Sequence, residues 1–184
     1  MSLAFGGPVL ADAVRPVRGD WRLRAILLVM PVSRPSPEED TQLTSGLYLL
    51  FVDGAKRANP AGKTEAPGGV GVVLKDPKGR LVGGCEISHA IDPVPDPHTA
   101  EYQALLAGAQ LALGRGVEYV AVFSDSRTMV NQVNNIWNRR EHLEALCLRA
   151  QEALSRFKGV QVSWIPREWN KRADELAGRA LAGG

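Results

Sequence analysis

The chain has 184 residues, of which 45% are hydrophobic, enough for the core of one ordinary domain. Its formal net charge of +2 permits non-specific binding of nucleic acid without indicating it. The longest uncharged apolar run, residues 25–32, is too short to span a bilayer, so we expect no membrane partner. Cys85 and Cys147 lack metal-ligand spacing and are predicted to be buried free thiols in a reducing cytoplasm.

Residues 1–46 differ from the remainder of the chain in composition. They hold equal numbers of arginine and acidic residues, and glycines and prolines interrupt them repeatedly. Trp21–Val32 is compatible with one strand or a short helix, whereas Ser33–Ser45 has the proline, serine and acidic content of a linker. We therefore predict that residues 1–46 form an extension and linker that is partly disordered, and that residues 47–184 form the folded domain.

Three strands are predicted at the start of the folded part. Leu47–Gly54 begins with an uninterrupted apolar run and ends in Asp-Gly, which is typical of a buried strand that leads into a tight turn. Gly69–Leu74 and Arg80–Ser88 are the next two predicted strands, and the turn Asp76–Gly79 has its proline at the favoured second position. These strands predict an antiparallel meander, followed by a proline-rich loop over Ile91–Pro97.

Helices and strands alternate in the second half of the chain. Thr99 is predicted to cap a helix that runs to about Leu113, and apolar residues at helical spacing follow it. The later elements are a strand over residues 117–123, a helix through Val130, a helix over residues 142–157, a strand over residues 160–165 and a helix over residues 170–181. This order predicts an α/β fold whose five-stranded mixed sheet combines an antiparallel meander with parallel strands and carries helices on both faces.

Four acidic residues lie at the ends of these predicted elements. Asp53 and Asp125 each follow an apolar strand, whereas Glu101 and Asp174 fall in the first turns of helices. Each alone is explained by a strand-ending turn or by the helix macrodipole. Sites in open α/β sheets lie beyond the carboxyl ends of the strands, where four carboxylates could converge. Such a cluster stays ionised only beside cations, and its hard oxygen ligands suit Mg²⁺ or Mn²⁺, with two ions per site able to assist phosphodiester hydrolysis.

Several short motifs, in this order, resemble those of the type 1 ribonuclease H family over about residues 47–181. The motifs are Phe51–Gly54 followed by Asn59 and Pro60, then Gly69–Leu74, Ala100–Leu106, Ser124–Ser126, Ile165–Glu168 and Asn170–Ala177. The resemblance implies a ribonuclease H-like fold. It also implies a two-metal-ion endonuclease that hydrolyses the RNA strand of RNA–DNA hybrids and leaves 3′-hydroxyl and 5′-phosphate ends. The sequence leaves the oligomeric state open, and we expect a monomer.

The resemblance also implies roles for individual residues. The catalytic metal ligands would be Asp53, Glu101, Asp125 and Asp174. Gly54 and Asn59 would meet the RNA backbone and its 2′-hydroxyls, which is how a protein distinguishes RNA from DNA. Arg127 and Asn170 are further candidate substrate contacts.

The chain also departs from the family pattern. Trp164 lies ten residues before the last aspartate, where many relatives carry a histidine, and Asp96–His98 replaces a Thr-Asn-Asn segment. The long basic protrusion of some relatives is absent; Trp137 with Arg139 and Arg140 either holds the DNA strand or is partly core beside a solvated face. These departures leave two alternatives, a non-catalytic nucleic-acid-binding domain and a DNA strand-transfer enzyme of the same fold.

Overall fold

The computed structural model describes residues 46–138 and 141–182. Apart from Gly46, the predicted extension and linker lie outside the described residues, as do Arg139 and Arg140. Within the described part of the chain, no helix is both long enough and apolar enough to cross a membrane.

One five-stranded mixed sheet forms the centre of the domain. In space the strands follow the order β3-β2-β1-β4-β5. β1 pairs antiparallel with β2 and parallel with β4, while β2–β3 is antiparallel and β4–β5 is parallel. The predicted combination of a meander with parallel strands is therefore confirmed. The bounds are β1 Leu47–Lys56, β2 Ala66–Lys75, β3 Leu81–Val94, β4 Tyr119–Ser124 and β5 Gly159–Trp164.

Helices pack on both faces of this sheet. Gly108 of the first helix lies against Leu50 and Val52, whereas the last helix lies against Gly69 and Gly71. Because side chains alternate along a strand, these contacts place the two helices on opposite faces. The helices are α1 Pro97–Gly114, α2 Arg127–Val133, α3 Glu141–Ser155 and α4 Lys171–Ala182, with a 3₁₀ turn over Arg167–Trp169.

The main core lies between the sheet and α1, α2 and α3. Its strand residues are the alternate positions that face α1, and each fully buried aliphatic side chain contributes roughly 1.5–3 kcal/mol. Cys85 and Cys147 are both buried and form no disulfide with each other, as predicted, while the reducing cytoplasm stays a prediction. Large residues of this core are Leu50, Val52, Val72, Leu74, Tyr102, Leu105, Val120, Val122, Met129 and Leu143.

Several predicted boundaries are wrong. β1 continues through Asp53 and Gly54 to Lys56, where the sequence predicts a tight turn, and β2 begins at Ala66. β3 continues through Ile91 to Val94, where a loop was expected, because β3 is an edge strand and an edge strand tolerates prolines such as Pro93. α1 begins at Pro97, and its cap is Asp96, whose side chain accepts the Thr99 N–H at 2.9 Å. Proline is favoured in the first helical turn, so the helix starts earlier than a Thr99 cap predicts.

Candidate active site

Asp53 lies near the end of β1, where the strand meets α1. It is only 5% exposed, and it pairs in register with Gly71, so its side chain shares the face that α4 covers. The next residue, Gly54, donates its N–H to Glu101 Oε2 at 3.3 Å. A Cβ at position 54 would overlap the backbone of Ala100 and Glu101, so glycine is required for α1 to come this close. This close packing brings Glu101 beside Asp53.

Asp125 follows β4 at the same edge of the sheet. Phe51 and Phe123 are paired in the parallel β1–β4 ladder, and two residues further along each strand are Asp53 and Asp125. Asn170 connects the two strands, because its Nδ2 donates to Val52 O at 3.0 Å and to Asp125 Oδ1 at 2.8 Å.

Asn170, a predicted substrate contact, is buried. The residue is only 1% exposed and its side-chain amide donates to protein acceptors, so its role as a substrate contact stays a prediction. Reversing the amide would turn its oxygen toward the Val52 carbonyl and the Asp125 carboxylate, so the Nδ2 donor assignment is the favourable one. In the described structure Asn170 Oδ1 has no hydrogen-bond partner. The Nδ2 group makes the contacts of this side chain, and through them Asn170 positions the Asp125 carboxylate.

Asp174 reaches the site from the first turn of α4. A Cβ on Gly71 would overlap the carbonyl oxygen of Ala173, so this glycine allows α4 to pack directly on β2. The Asp174 carboxylate forms an ion pair with Arg167 of the 3₁₀ turn. The first turn of α4 thus delivers the fourth predicted acid to the site.

Burial and mutual repulsion perturb the carboxylates. Burial, the negative charges of Asp125 and Asp174, and a side-chain hydrogen bond to Asp125 together raise the pKa of Asp53 to about 7. Burial, Asp53 and Asp125 raise the pKa of Glu101 well above its usual value. The Arg167 guanidinium opposes both shifts, as does the Gly54 N–H at Glu101. The site therefore lacks enough positive charge to keep all four acids ionised.

These residues fit a divalent metal by the chemistry of their donors. Carboxylate oxygens are the ligands that Mg²⁺ and Mn²⁺ prefer, and a cation would relieve the repulsion that raises these pKa values. Within residues 46–138 and 141–182, no three acidic, histidine or cysteine side chains are arranged so that they could already hold a metal. Two of the acids instead interact with protein donors: Asp125 accepts a hydrogen bond from Asn170, and Asp174 forms an ion pair with Arg167.

The predicted substrate contacts lie around these acids in different settings. Asn59 is exposed in the loop after β1, and its side-chain oxygen accepts from Lys56 Nζ. Arg127 is also exposed, and its guanidinium lies over the ring of Trp164. The N–H of Gly54 is already used by Glu101. Their roles as RNA contacts stay predictions.

Residues 134–138, which begin the segment that replaces the basic protrusion, form a short turn held by side-chain hydrogen bonds. Asn134 Nδ2 donates to Val162 O, and Gln132 Nε2 donates to Asn138 O, both at 3.0 Å. Trp137 is 49% exposed, so the interpretation as a partly core residue is wrong.

Arg167 is the functional candidate that sequence reasoning missed. Among the groups that shift the pKa values of Asp53 and Glu101, Arg167 is the one with a positive charge, and it lowers both values. A signal existed, because Arg167 is the only basic residue between the end of β5 and the start of α4. Trp164 supplies no positive charge, because an indole is neutral; its Nε1–H donates to the Asp125 carbonyl oxygen.

Comparison with known proteins agrees with this architecture. A family model described as "Reverse transcriptase-like" matches residues 59–180. Ribonuclease HI of Halobacterium salinarum is 34% identical over 170 residues, which are 89% of this chain and 80% of that protein. The bifunctional protein Rv2228c of Mycobacterium tuberculosis is 33% identical over 134 residues. That match covers 72% of this chain and only 35% of the mycobacterial protein's length.

Solved structures show the same similarity. The RNase H1 of Halobacterium salinarum superposes with a TM-score of 0.69 at 30% identity, covering 76% of this chain and 100% of that one. LC11-RNase H1, solved in complex with an RNA/DNA hybrid, has a TM-score of 0.65 at 28% identity, and the match covers 74% of this chain and 97% of that one. The chain therefore belongs to the type 1 ribonuclease H family of enzymes.

Proposed function

We propose that this chain is a metal-dependent endonuclease that hydrolyses the RNA strand of RNA–DNA hybrids, leaving 3′-hydroxyl and 5′-phosphate ends. The observation that carries the proposal is the gathering of Asp53, Glu101 and Asp125 at one edge of the sheet, where burial and mutual repulsion raise the pKa values of Asp53 and Glu101. Asp174 joins them from α4. The complex of LC11-RNase H1 with a hybrid supports the choice of substrate. We further propose that the enzyme acts as a cytoplasmic monomer.

In this proposal Asp53, Glu101, Asp125 and Asp174 hold two Mg²⁺ or Mn²⁺ ions. When bound, such ions would activate a water molecule and stabilise the leaving oxygen of the phosphodiester. Asn170 keeps the Asp125 carboxylate aimed at the site, because its amide is anchored on the Val52 carbonyl.

Arg167 supplies the mobile positive charge of the site. Its side chain is 73% exposed and pairs with Asp174 at the surface, so it can change partner at little cost. In the free enzyme it compensates part of the acidic charge. With substrate present, the same guanidinium is placed to contact a phosphate oxygen.

The proposal is tested by a cleavage assay on a panel of substrates. Matched hybrid, double-stranded RNA, double-stranded DNA and single strands are labelled on each strand and incubated with Mg²⁺, with Mn²⁺ or with EDTA. We expect cleavage of the RNA strand of the hybrid only in the presence of metal, with products that a 3′-end-extending polymerase can use directly. Binding of the hybrid without cleavage would support the non-catalytic alternative, and cutting of DNA would support the strand-transfer alternative.

A further inference from the structure

A tryptophan and an arginine form one unit at the outer end of β5. Trp164 is the last residue of β5 and pairs in register with Ser124, the last residue of β4. The guanidinium carbon of Arg127 lies 4.1 Å from the centroid of the Trp164 ring. The indole Nε1–H of the same ring donates to the Asp125 carbonyl oxygen at 3.0 Å. One side chain therefore contacts the backbone of a candidate metal ligand through its edge and an exposed cation through its face.

This arrangement leaves the charge of Arg127 available to a ligand. Within residues 46–138 and 141–182, Arg127 has no carboxylate partner, in contrast to Arg167, which is paired with Asp174. A guanidinium stacked on an aromatic face keeps its planar edge of N–H donors free. Stacking also restricts the rotamers of a long side chain before any ligand arrives, which lowers the entropy lost on binding.

The position of the unit indicates which ligand it takes. Arg127 is two residues after Asp125, at the start of α2. Trp164 holds the backbone just before this helix, because its indole N–H donates to the Asp125 carbonyl oxygen. An unpaired, preorganised guanidinium matches a phosphate, whose oxygens accept two parallel N–H bonds. A carboxylate of the protein could satisfy it as well, but the carboxylates of Asp125 and Asp174 are bound to Asn170 and Arg167.

We propose that Arg127, held over the ring of Trp164, contacts a backbone phosphate of the hybrid next to the bond that is cut. Trp164 is then a positioning residue that fixes both this guanidinium and the backbone of Asp125. The inference rests on the proposed function for the identity of the substrate. It goes further because it assigns a phosphate contact to Arg127 and a positioning role to Trp164, and neither residue is one of the four acids.

The test measures how the binding and cleavage of a hybrid depend on salt. Each phosphate contact that is lost lowers the slope of log affinity against log salt concentration by about 0.7–0.9. We expect Arg127→Gln to lower the slope by this amount and to raise KM about tenfold, with kcat changed less than about threefold. Arg156→Gln is the matched control, because Arg156 is exposed just beyond α3, near the opposite end of β5. It should change neither the slope nor KM.

Substitutions of Trp164 separate positioning from simple packing. Trp164→Phe keeps an aromatic face but loses the indole N–H, so the salt slope should be retained while kcat falls. Trp164→Leu loses both, so the slope should fall as in Arg127→Gln and kcat should fall as well. If the tryptophan acts through the arginine, adding Arg127→Gln to Trp164→Leu should raise KM less than about threefold further.

A binding arm keeps this inference separate from the proposed function. Anisotropy of a fluorescent hybrid is measured with the Asp53→Asn protein, in which cleavage is blocked, with and without Arg127→Gln. If the wild-type chain cuts no hybrid, the proposed function fails, and the salt slope of binding still decides whether Arg127 contacts a phosphate. An unchanged slope in Arg127→Gln, or an equal effect of Arg156→Gln, would overturn the inference. Full additivity of the Trp164→Leu and Arg127→Gln effects on KM would overturn the positioning role.

Discussion

Replacement of Asp53 by asparagine should stabilise the metal-free protein at neutral and alkaline pH. The pKa of Asp53 is raised from 3.8 to about 7, chiefly by burial and by the charges of Asp125 and Asp174. A carboxyl with a raised pKa keeps its proton in the folded state while the unfolded chain has lost it. Stability therefore falls as the pH rises from about 4 to about 7, and the full penalty remains above pH 7. Asparagine has no charge and avoids the penalty.

The size of the effect follows from the shift. About three pKa units at roughly 1.36 kcal/mol per unit give roughly 4 kcal/mol for the ionised carboxylate above pH 7. Because neighbouring side chains of the variant relax around the new amide, we expect a net gain of about 2–4 kcal/mol at pH 8. For a domain of this size that is a rise of roughly 5–15 °C in the midpoint of thermal unfolding. At pH 4 and below, the difference should approach zero.

The assay is thermal or urea unfolding in EDTA at pH 4, 6 and 8, compared between the wild type and Asp53→Asn. Asp92→Asn is the matched control, because Asp92 is exposed on the edge strand β3 and its replacement should change stability by less than about 0.5 kcal/mol. Mg²⁺ should then stabilise the wild type more than the variant, since the cation relieves the repulsion. A variant that is no more stable than the wild type at pH 8, or a difference independent of pH, would refute the reasoning.

Three further predictions concern the residues that hold the acids in place. Gly54→Ala should destabilise the fold by at least about 3 kcal/mol in urea unfolding, because its Cβ would overlap the backbone of α1. Its control, Gly178→Ala, should stabilise the protein by about 0.5–1 kcal/mol, since position 178 is open and helical. Arg167→Gln should raise the pKa of Asp53, measured as a shift of the pH–kcat/KM profile to higher pH, and Arg167→Lys should largely restore it. Asn170→Ala should lower kcat and cost about 1–3 kcal/mol in unfolding experiments, because the buried Val52 carbonyl and the partly buried Asp125 carboxylate lose their donor.

Each of these predictions has an outcome that contradicts it. Gly54→Ala and Gly178→Ala of equal stability would mean that α1 does not approach β1 as described. An unchanged pH profile in Arg167→Gln would remove Arg167 from the electrostatics of the site. Normal kcat and stability in Asn170→Ala would show that the amide does not position Asp125.

The order of strands and helices could be predicted because it follows local patterns. The apolar run of Leu47–Gly54 and the alternating second half of the chain determine it, and the structure confirms the mixed sheet. Boundaries were less predictable where tertiary context decides. Pro93 would break a central strand, but β3 is an edge strand, which the local sequence does not reveal.

The site was predictable only in part, for a related reason. Asp53 and Asp125 were expected at one edge because parallel strands end together, and the β1–β4 register places them there. The burial of Asn170 and the reach of Arg167 depend on contacts with residues far away in the chain, such as Val52. Spacing carries no information about such contacts, so the sequence predicts neither the anchoring of Asp125 by Asn170 nor the effect of Arg167 on the acids.

The most direct test of the account is the initial rate of RNA-strand cleavage in a hybrid at saturating Mg²⁺. It is measured for the wild type, Asp53→Asn and Asp125→Asn, each shown to be folded by circular dichroism. We predict metal-dependent cleavage by the wild type and a loss of at least about 1,000-fold in both variants, because the proposed metal site would lose an anionic ligand in each. Rates in both variants within about tenfold of the wild type would contradict the proposal that these acids form the catalytic metal site.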